Sequence, residues 1–172
     1  MKKGFVQVYT GDGKGKSTAA FGLALRAAGA GLKVFIAQFL KQGRYAEVDA
    51  LERFSDLITV KQYGGHSFIR GAPTEEDRRF AELGLDEVRA VLASGEYRVV
   101  ILDEGNVLTH LRVVPVEDLL GLMDLKPEDV ELVITGRNAD PRILDRADLV
   151  TEMRDVKHYY AEGVAPRRGI EL

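Results

Sequence analysis

Ten residues near the start of the chain, Tyr9-Thr10-Gly11-Asp12-Gly13-Lys14-Gly15-Lys16-Ser17-Thr18, leave it few folds to choose from. An apolar run at residues 5–9 precedes them and a helix-like run over residues 18–28 follows. Glycines let a backbone curl until successive N–H groups converge on an anion at a helix N-terminus. A strand, an anion-cradling turn and a helix in that order form the first unit of a parallel α/β sheet.

Gly15-Lys16-Ser17 matches the end of the phosphate-loop pattern, whereas Thr10 stands where that pattern opens with glycine. A glycine-rich hairpin with an incidental lysine is the plainest alternative, but it leaves the flanking strand and helix unexplained. A dinucleotide-binding loop fits less well, since it needs a third glycine three residues after the second and has no use for Lys16. A bound nucleoside triphosphate is the reading that remains. Lys16 would then place a point charge on phosphate, and the Ser17 hydroxyl would ligate magnesium.

With 172 residues, 45% of them hydrophobic, the chain can bury one substantial core, and a single domain over residues 1–172 is expected. The absence of cysteine excludes disulfides, thiolate metal sites and thiol catalysis. No apolar stretch is long enough to span a membrane, and Met1-Lys2-Lys3 leads straight into a strand, so a cytoplasmic protein is expected. The net charge of −3 argues against a general nucleic-acid binder.

Apolar runs without alternation recur at residues 5–9, 34–39, 99–102 and 132–135, with a shorter one at 149–150, as buried parallel strands require. Helical patterns lie between them. Thr74 and Asp77 form a capping box, Ala81, Leu85, Val88 and Leu92 share one face, and Gly95 ends the pattern. Pro115 and Pro141 suit the first turns of two shorter helices. The alternation predicts an α/β fold with a mostly parallel, doubly wound sheet and helices on both faces. Residues 62–73 have no periodicity but hold three glycines with Tyr63, His66, Phe68 and Arg70. That composition suits a long surface connection and a lid over a flat ligand equally.

A second motif is the apolar run ending in Asp103-Glu104. Ligands of open parallel sheets sit at the carboxyl ends of strands, which brings these carboxylates toward the phosphate loop. Magnesium takes one or two carboxylates beside phosphate oxygens, so Asp103 and Glu104 are candidate ligands, directly or through water. Alone, the pair reads as a solvated turn after a strand. Arg137, in Thr135-Gly136-Arg137, ends another run and offers a rigid donor fork for phosphate, although a surface turn is an equal reading. For Lys157 and His158 the default is a structural role.

Together these pieces resemble the phosphate-loop ATP:corrinoid adenosyltransferases of the cobalamin pathway. The resemblance runs from residues 8–20 through Gln38-Phe39-Leu40-Lys41, Leu102-Asp103-Glu104 and Thr135-Gly136-Arg137 to Val156-Lys157-His158, Gly163-Val164-Ala165 and Gly169-Ile170-Glu171. It implies a RecA-like phosphate-loop fold with ATP lying across the loop against the usual direction. It also implies transfer of the 5′-deoxyadenosyl group of ATP to a cobalt(I) corrinoid, with release of triphosphate. By the same resemblance Thr10, Gly11, Gly13, Lys14, Gly15, Lys16, Ser17, Thr18 and Arg137 serve the nucleotide. Ser17 and Glu104, with Asp103, serve magnesium, and Lys16 and Glu104 act in catalysis. A homodimer and a reducing flavoprotein partner are further expectations. At residues 64–69 several relatives carry a Gly-x-Gly-Phe-x-Trp pattern that presses on the corrinoid. This chain has no tryptophan, which leaves Phe68 or His66 to take over that packing. Two other activities fit a phosphate loop beside a carboxylate: an ATPase or kinase in which Glu104 orients the nucleophile, and a carrier that binds without turnover.

Overall fold

The computed structural model describes residues 2–43, 45–65, 69 and 71–171. Among these, one sheet holds six strands: β1 (Val6–Thr10), β2 (Val34–Phe39), β3 (Ile58–Tyr63), β4 (Val99–Asp103), β5 (Glu131–Thr135) and β6 (Leu149–Glu152). Their order is β3-β2-β4-β5-β1-β6, and every pairing is parallel. The central strands β2, β4 and β5 are buried along their whole length, which explains why their sequences are apolar without alternation.

Successive residues of a strand point to opposite faces, so each strand feeds two cores. Val100 and Leu102 pack with the buried residues of α3 (Glu75–Ser94) and α5 (Val116–Leu125). Val99 and Ile101 pack instead with Ala20, Phe21, Ala24 and Ala27 of α1 (Lys16–Gly29). Burying each Leu, Ile, Val or Phe stabilises the fold by roughly 1.5–3 kcal/mol relative to exposure. The expected helix-covered α/β sheet is therefore present. Short helices α2 (Ala46–Leu51), α4 (Gly105–His110) and α6 (Pro141–Arg146), with one-turn 3₁₀ segments at Glu52–Phe54 and Tyr159–Glu162, complete the framework. No described helix is long and apolar enough to cross a membrane.

Helix α3 begins as the sequence predicts. Thr74 Oγ1 accepts from the Asp77 amide at 3.2 Å, and Asp77 Oδ2 accepts from the Thr74 amide at 2.9 Å. Pro141 occupies the first turn of α6 behind the Asp140 cap. Pro115, expected in the first turn of α5, instead lies one residue earlier with extended backbone (φ −67°, ψ 151°).

The larger difference is β3, which the sequence does not announce. As an edge strand it is mostly half-buried, and its run Ile58-Thr59-Val60-Lys61-Gln62-Tyr63 mixes polar with apolar residues. Gln62 and Tyr63 belong to this strand, so the irregular stretch expected from residue 62 begins only at Gly64. At the opposite edge, all four residues of β6 are exposed.

Candidate active site

The carboxyl ends of β1, β4 and β5 carry Thr10, Asp103 and Thr135, and the chain turns away from each into a loop. Above them opens a cavity of about 970 Å³. Lys16, Ser17, Glu104 and Arg137 meet on its wall together with Leu40 and Lys41. An apolar side is supplied by Phe21 and Leu25 of α1, Ala50 of α2, Phe54 and Ile69. Candidates 120 residues apart in sequence thus converge on one concave site with a polar side and a larger apolar one.

Gly15 precedes α1 with φ 113°, a left-handed conformation, so the loop enters the helix with its first amides turned toward the cavity end. Lys16 is 9% exposed, and its ammonium donates to the carbonyl oxygens of Gly11 (2.7 Å) and Gly13 (2.6 Å). Burial lowers its pKa and so does the nearby Arg137 charge, whereas Glu104, Asp12 and Asp103 oppose the shift. Arg137 itself reaches back to the Asp12 carbonyl at 3.2 Å. Two cations therefore face the same loop, as a polyanion requires.

Asp103 is fully buried and does not reach the cavity wall. Its Oδ1 accepts from Thr135 Oγ1 at 2.8 Å, and its Oδ2 accepts from Gln38 Nε2 at 3.1 Å and from Lys41 Nζ at 3.2 Å. Burial alone would raise its pKa, but the Lys41 charge and hydrogen bonds from Ser17, Gln38 and Thr135 hold it below the ordinary value. Glu104 follows in a left-handed conformation, φ 61°, which is uncommon outside glycine and carries local strain. Its amide donates to Thr135 Oγ1 at 3.0 Å, so one hydroxyl fixes both acidic residues. Burial and the neighbouring Asp103 charge raise the pKa of Glu104.

The two carboxylates are thus held differently, one sunk behind the wall and one on it. Among the described residues no group of three or more His, Asp or Glu side chains could hold a metal unaided. Magnesium needs no such cage, because it keeps several waters and relies on phosphate oxygens. What the site does hold is the Lys41 ammonium, 3.2 Å from Asp103 and 3.7 Å from Glu104, a cation standing against both acids. The donor set therefore fits a hard divalent ion.

Two predicted residues, Thr10 and Gly11, support the loop and do not line the cavity, whereas Gly13 lies on its wall and is also held from behind. Thr10 Oγ1 accepts from the Ala139 amide at 3.4 Å. The Gly13 amide donates to the Met153 carbonyl at 2.7 Å, so it is engaged by the segment after β6. A Cβ on Gly13 would lie 2.7 Å from that carbonyl, and one on Gly11 2.4 Å. These glycines are needed because a second backbone crosses the loop. Gly13→Ala is expected to lower stability by about 1–3 kcal/mol, a range usual for a forced backbone shift. Thermal unfolding checks it, and an unaltered Tm would refute the crossing.

The same crossing brings in the C-terminal segment, including His158, for which the sequence alone suggests only a structural role. Lys14 Nζ donates to the Ile170 carbonyl at 3.0 Å, and His158, Gly169, Ile170 and Glu171 line the cavity. Nothing in the sequence points to chemistry at Lys41 or Thr135, and for Gln38 the one signal is a glutamine inside the otherwise apolar 34–39 run. Thr18 also lies on the wall. His66 and Phe68 fall outside the described residues.

This arrangement coincides with a family match over nearly the whole chain. The model described as ATP:corrinoid adenosyltransferase BtuR/CobO/CobP matches residues 2–172. The chain belongs to this family. A corrinoid adenosyltransferase from Escherichia coli is 34% identical over 99% of this chain and 86% of its own length. One from Pseudomonas aeruginosa is 32% identical over 99% of this chain and 85% of its own. An uncharacterized Nostoc protein is 36% identical over 97% of this chain, which spans 48% of that relative's length. Adenosyltransferase family membership accounts for a phosphate-loop motif and an apolar wall sharing one cavity.

Proposed function

We propose that this chain, as one catalytic domain over residues 1–172, transfers the 5′-deoxyadenosyl group of ATP to the cobalt(I) of a reduced corrinoid and releases triphosphate, in adenosylcobalamin biosynthesis or salvage. The observation that carries the reading is the convergence of Lys16, Ser17, Glu104 and Arg137 on one cavity in a chain of this family.

The reaction forms a bond between cobalt and C5′ of the ribose and breaks the bond from C5′ to the triphosphate oxygen. Cobalt(I) supplies the electron pair and becomes cobalt(III), and the pair of the broken bond departs with triphosphate. No proton need move, so the protein's tasks are alignment and charge stabilisation. Lys16 leaves the Gly11 and Gly13 carbonyls to neutralise the leaving group, and Arg137 clamps the same chain of phosphates. Ser17 and Glu104 would hold magnesium directly, with Asp103 fixing Ser17 from behind. When bound, the ion supplies positive charge to the departing triphosphate. The apolar wall of Phe21, Leu25, Phe54 and Ile69 offers flat ligand groups a dry surface.

Cobalt(I) must be made by an electron donor, for which a reduced flavoprotein is the proposed class. A homodimer and a cytoplasmic location complete the proposal. The phosphorylating alternative is not favoured by the family. Anaerobic incubation of the protein with ATP, magnesium and chemically reduced cobalamin should yield a light-sensitive alkylcobalamin spectrum. No cobalt alkylation under those conditions would refute the proposal.

Because burial and Asp103 raise the Glu104 pKa, the carboxylate form that binds metal is lost at higher pH than an ordinary glutamate would lose it. Metal affinity should therefore fall on acidification while the pH is still above the reference value of 4.5. Titrating Mn²⁺ in the presence of an ATP analogue at several pH values checks this. Glu104→Gln should remove the acid-side dependence along with most of the affinity.

A further inference from the structure

Lys41 is placed with more care than a surface lysine receives. Leu40 adopts a left-handed backbone, φ 58°, just past β2, and its amide donates to the Tyr63 carbonyl at 2.9 Å. Gly64 crosses so closely that a Cβ there would sit 2.5 Å from the Lys41 amide nitrogen. Gln62 reinforces the turn, with Oε1 accepting from the Gly43 amide at 3.2 Å and Nε2 donating to Gln38 Oε1 at 2.7 Å. Gln38 in turn donates to Asp103. The outcome is a side chain only 17% exposed, with its ammonium against both acids. A strained residue, a glycine crossing and a glutamine pair all serve to hold one cation there.

We propose that Lys41 is a built-in placeholder cation that makes divalent-metal binding at Ser17 and Glu104, in front of the buried Asp103, conditional on triphosphate. In the nucleotide-free protein its single charge satisfies the buried Asp103 and the half-buried Glu104 and repels a second cation. Triphosphate brings enough negative charge to hold both the metal and the lysine, so metal and nucleotide enter together. The inference rests on the proposed metal role of Glu104 and adds the residue that regulates it.

Mn²⁺ titrated into nucleotide-free protein, followed by electron paramagnetic resonance, tests it. Lys41→Met should tighten Mn²⁺ binding by about 10- to 100-fold, the scale of changes beside metal ligands. Lys41→Gln should do the same and Lys41→Arg should not. The gain should vanish when Glu104→Gln is added. With an ATP analogue present, wild type and Lys41→Met should bind Mn²⁺ to similar extents. Wild-type crystals soaked in Mn²⁺ should show anomalous density beside Glu104 only with the analogue, a readout independent of how the variants fold. Density there without nucleotide, or no gain in either neutral variant, overturns the placeholder. Absence of Mn²⁺ binding even with the analogue would instead defeat the metal-site reading itself.

Discussion

Lys16→Ala should weaken ATP binding about 100-fold, as loss of a charged hydrogen-bonding partner costs up to about 3 kcal/mol. Turnover should fall by a further factor of roughly 100–1,000, the usual cost of removing a donor aimed at developing charge. The reason lies in where the ammonium rests. It bridges the Gly11 and Gly13 carbonyls within the loop, so only a short swing separates it from an anion in the cavity. Lys16→Arg should not rescue the activity, because a planar guanidinium cannot share the position between two carbonyls that a compact ammonium fills. Calorimetry gives the affinity and a cobalamin alkylation assay the rate. Unchanged affinity in Lys16→Ala would show that the loop does not grip phosphate.

Asp103→Ala should be the most destabilising single change near the site. It removes the acceptor for Gln38, Thr135 and Lys41 at a fully buried point and leaves the Lys41 ammonium with Glu104 alone. Breaking a buried ion pair by removing one partner costs about 3–5 kcal/mol. For a chain of this length that lowers Tm on the order of 10 °C. Asp103→Asn should also destabilise, since its amide nitrogen would meet groups that are already donors. The pH dependence follows from the same contacts. A carboxylate whose folded pKa is depressed contributes fully above its unfolded value and loses that contribution as pH falls through the folded one. Wild type should therefore lose this stabilisation below about pH 3.8, the reference value for Asp103, whereas Asp103→Ala has none to lose. Thermal unfolding of both proteins across that range measures the difference. A Tm equal to wild type at neutral pH would contradict the network.

The parts legible in sequence were those whose chemistry is local. A phosphate loop must follow a strand and open a helix, so residues 9–18 reveal their fold unaided. The capping box of Thr74 and Asp77 is likewise complete within four residues. Buried central strands announce themselves because both of their faces are apolar. Strand β3 has one edge and two half-solvated faces, so its polar residues mask it. Long-range partnership was less visible. Gly11 and Gly13 look like anion-cradle glycines, yet the Met153 backbone crossing them also requires their lack of a side chain. Nothing near Lys41 in sequence indicates that it meets Asp103, 62 residues away. Such contacts belong to the topology that sets β2 beside β4.

The central claim is that triphosphate leaves intact while carbon is attacked, which sets this chemistry apart from all phosphoryl transfer at similar loops. Phosphorus NMR of an anaerobic reaction with ATP, magnesium and cob(I)alamin reads the outcome directly. Inorganic triphosphate should accumulate in step with the alkylated cobalamin. Release of ADP with orthophosphate, and no triphosphate, would contradict the account.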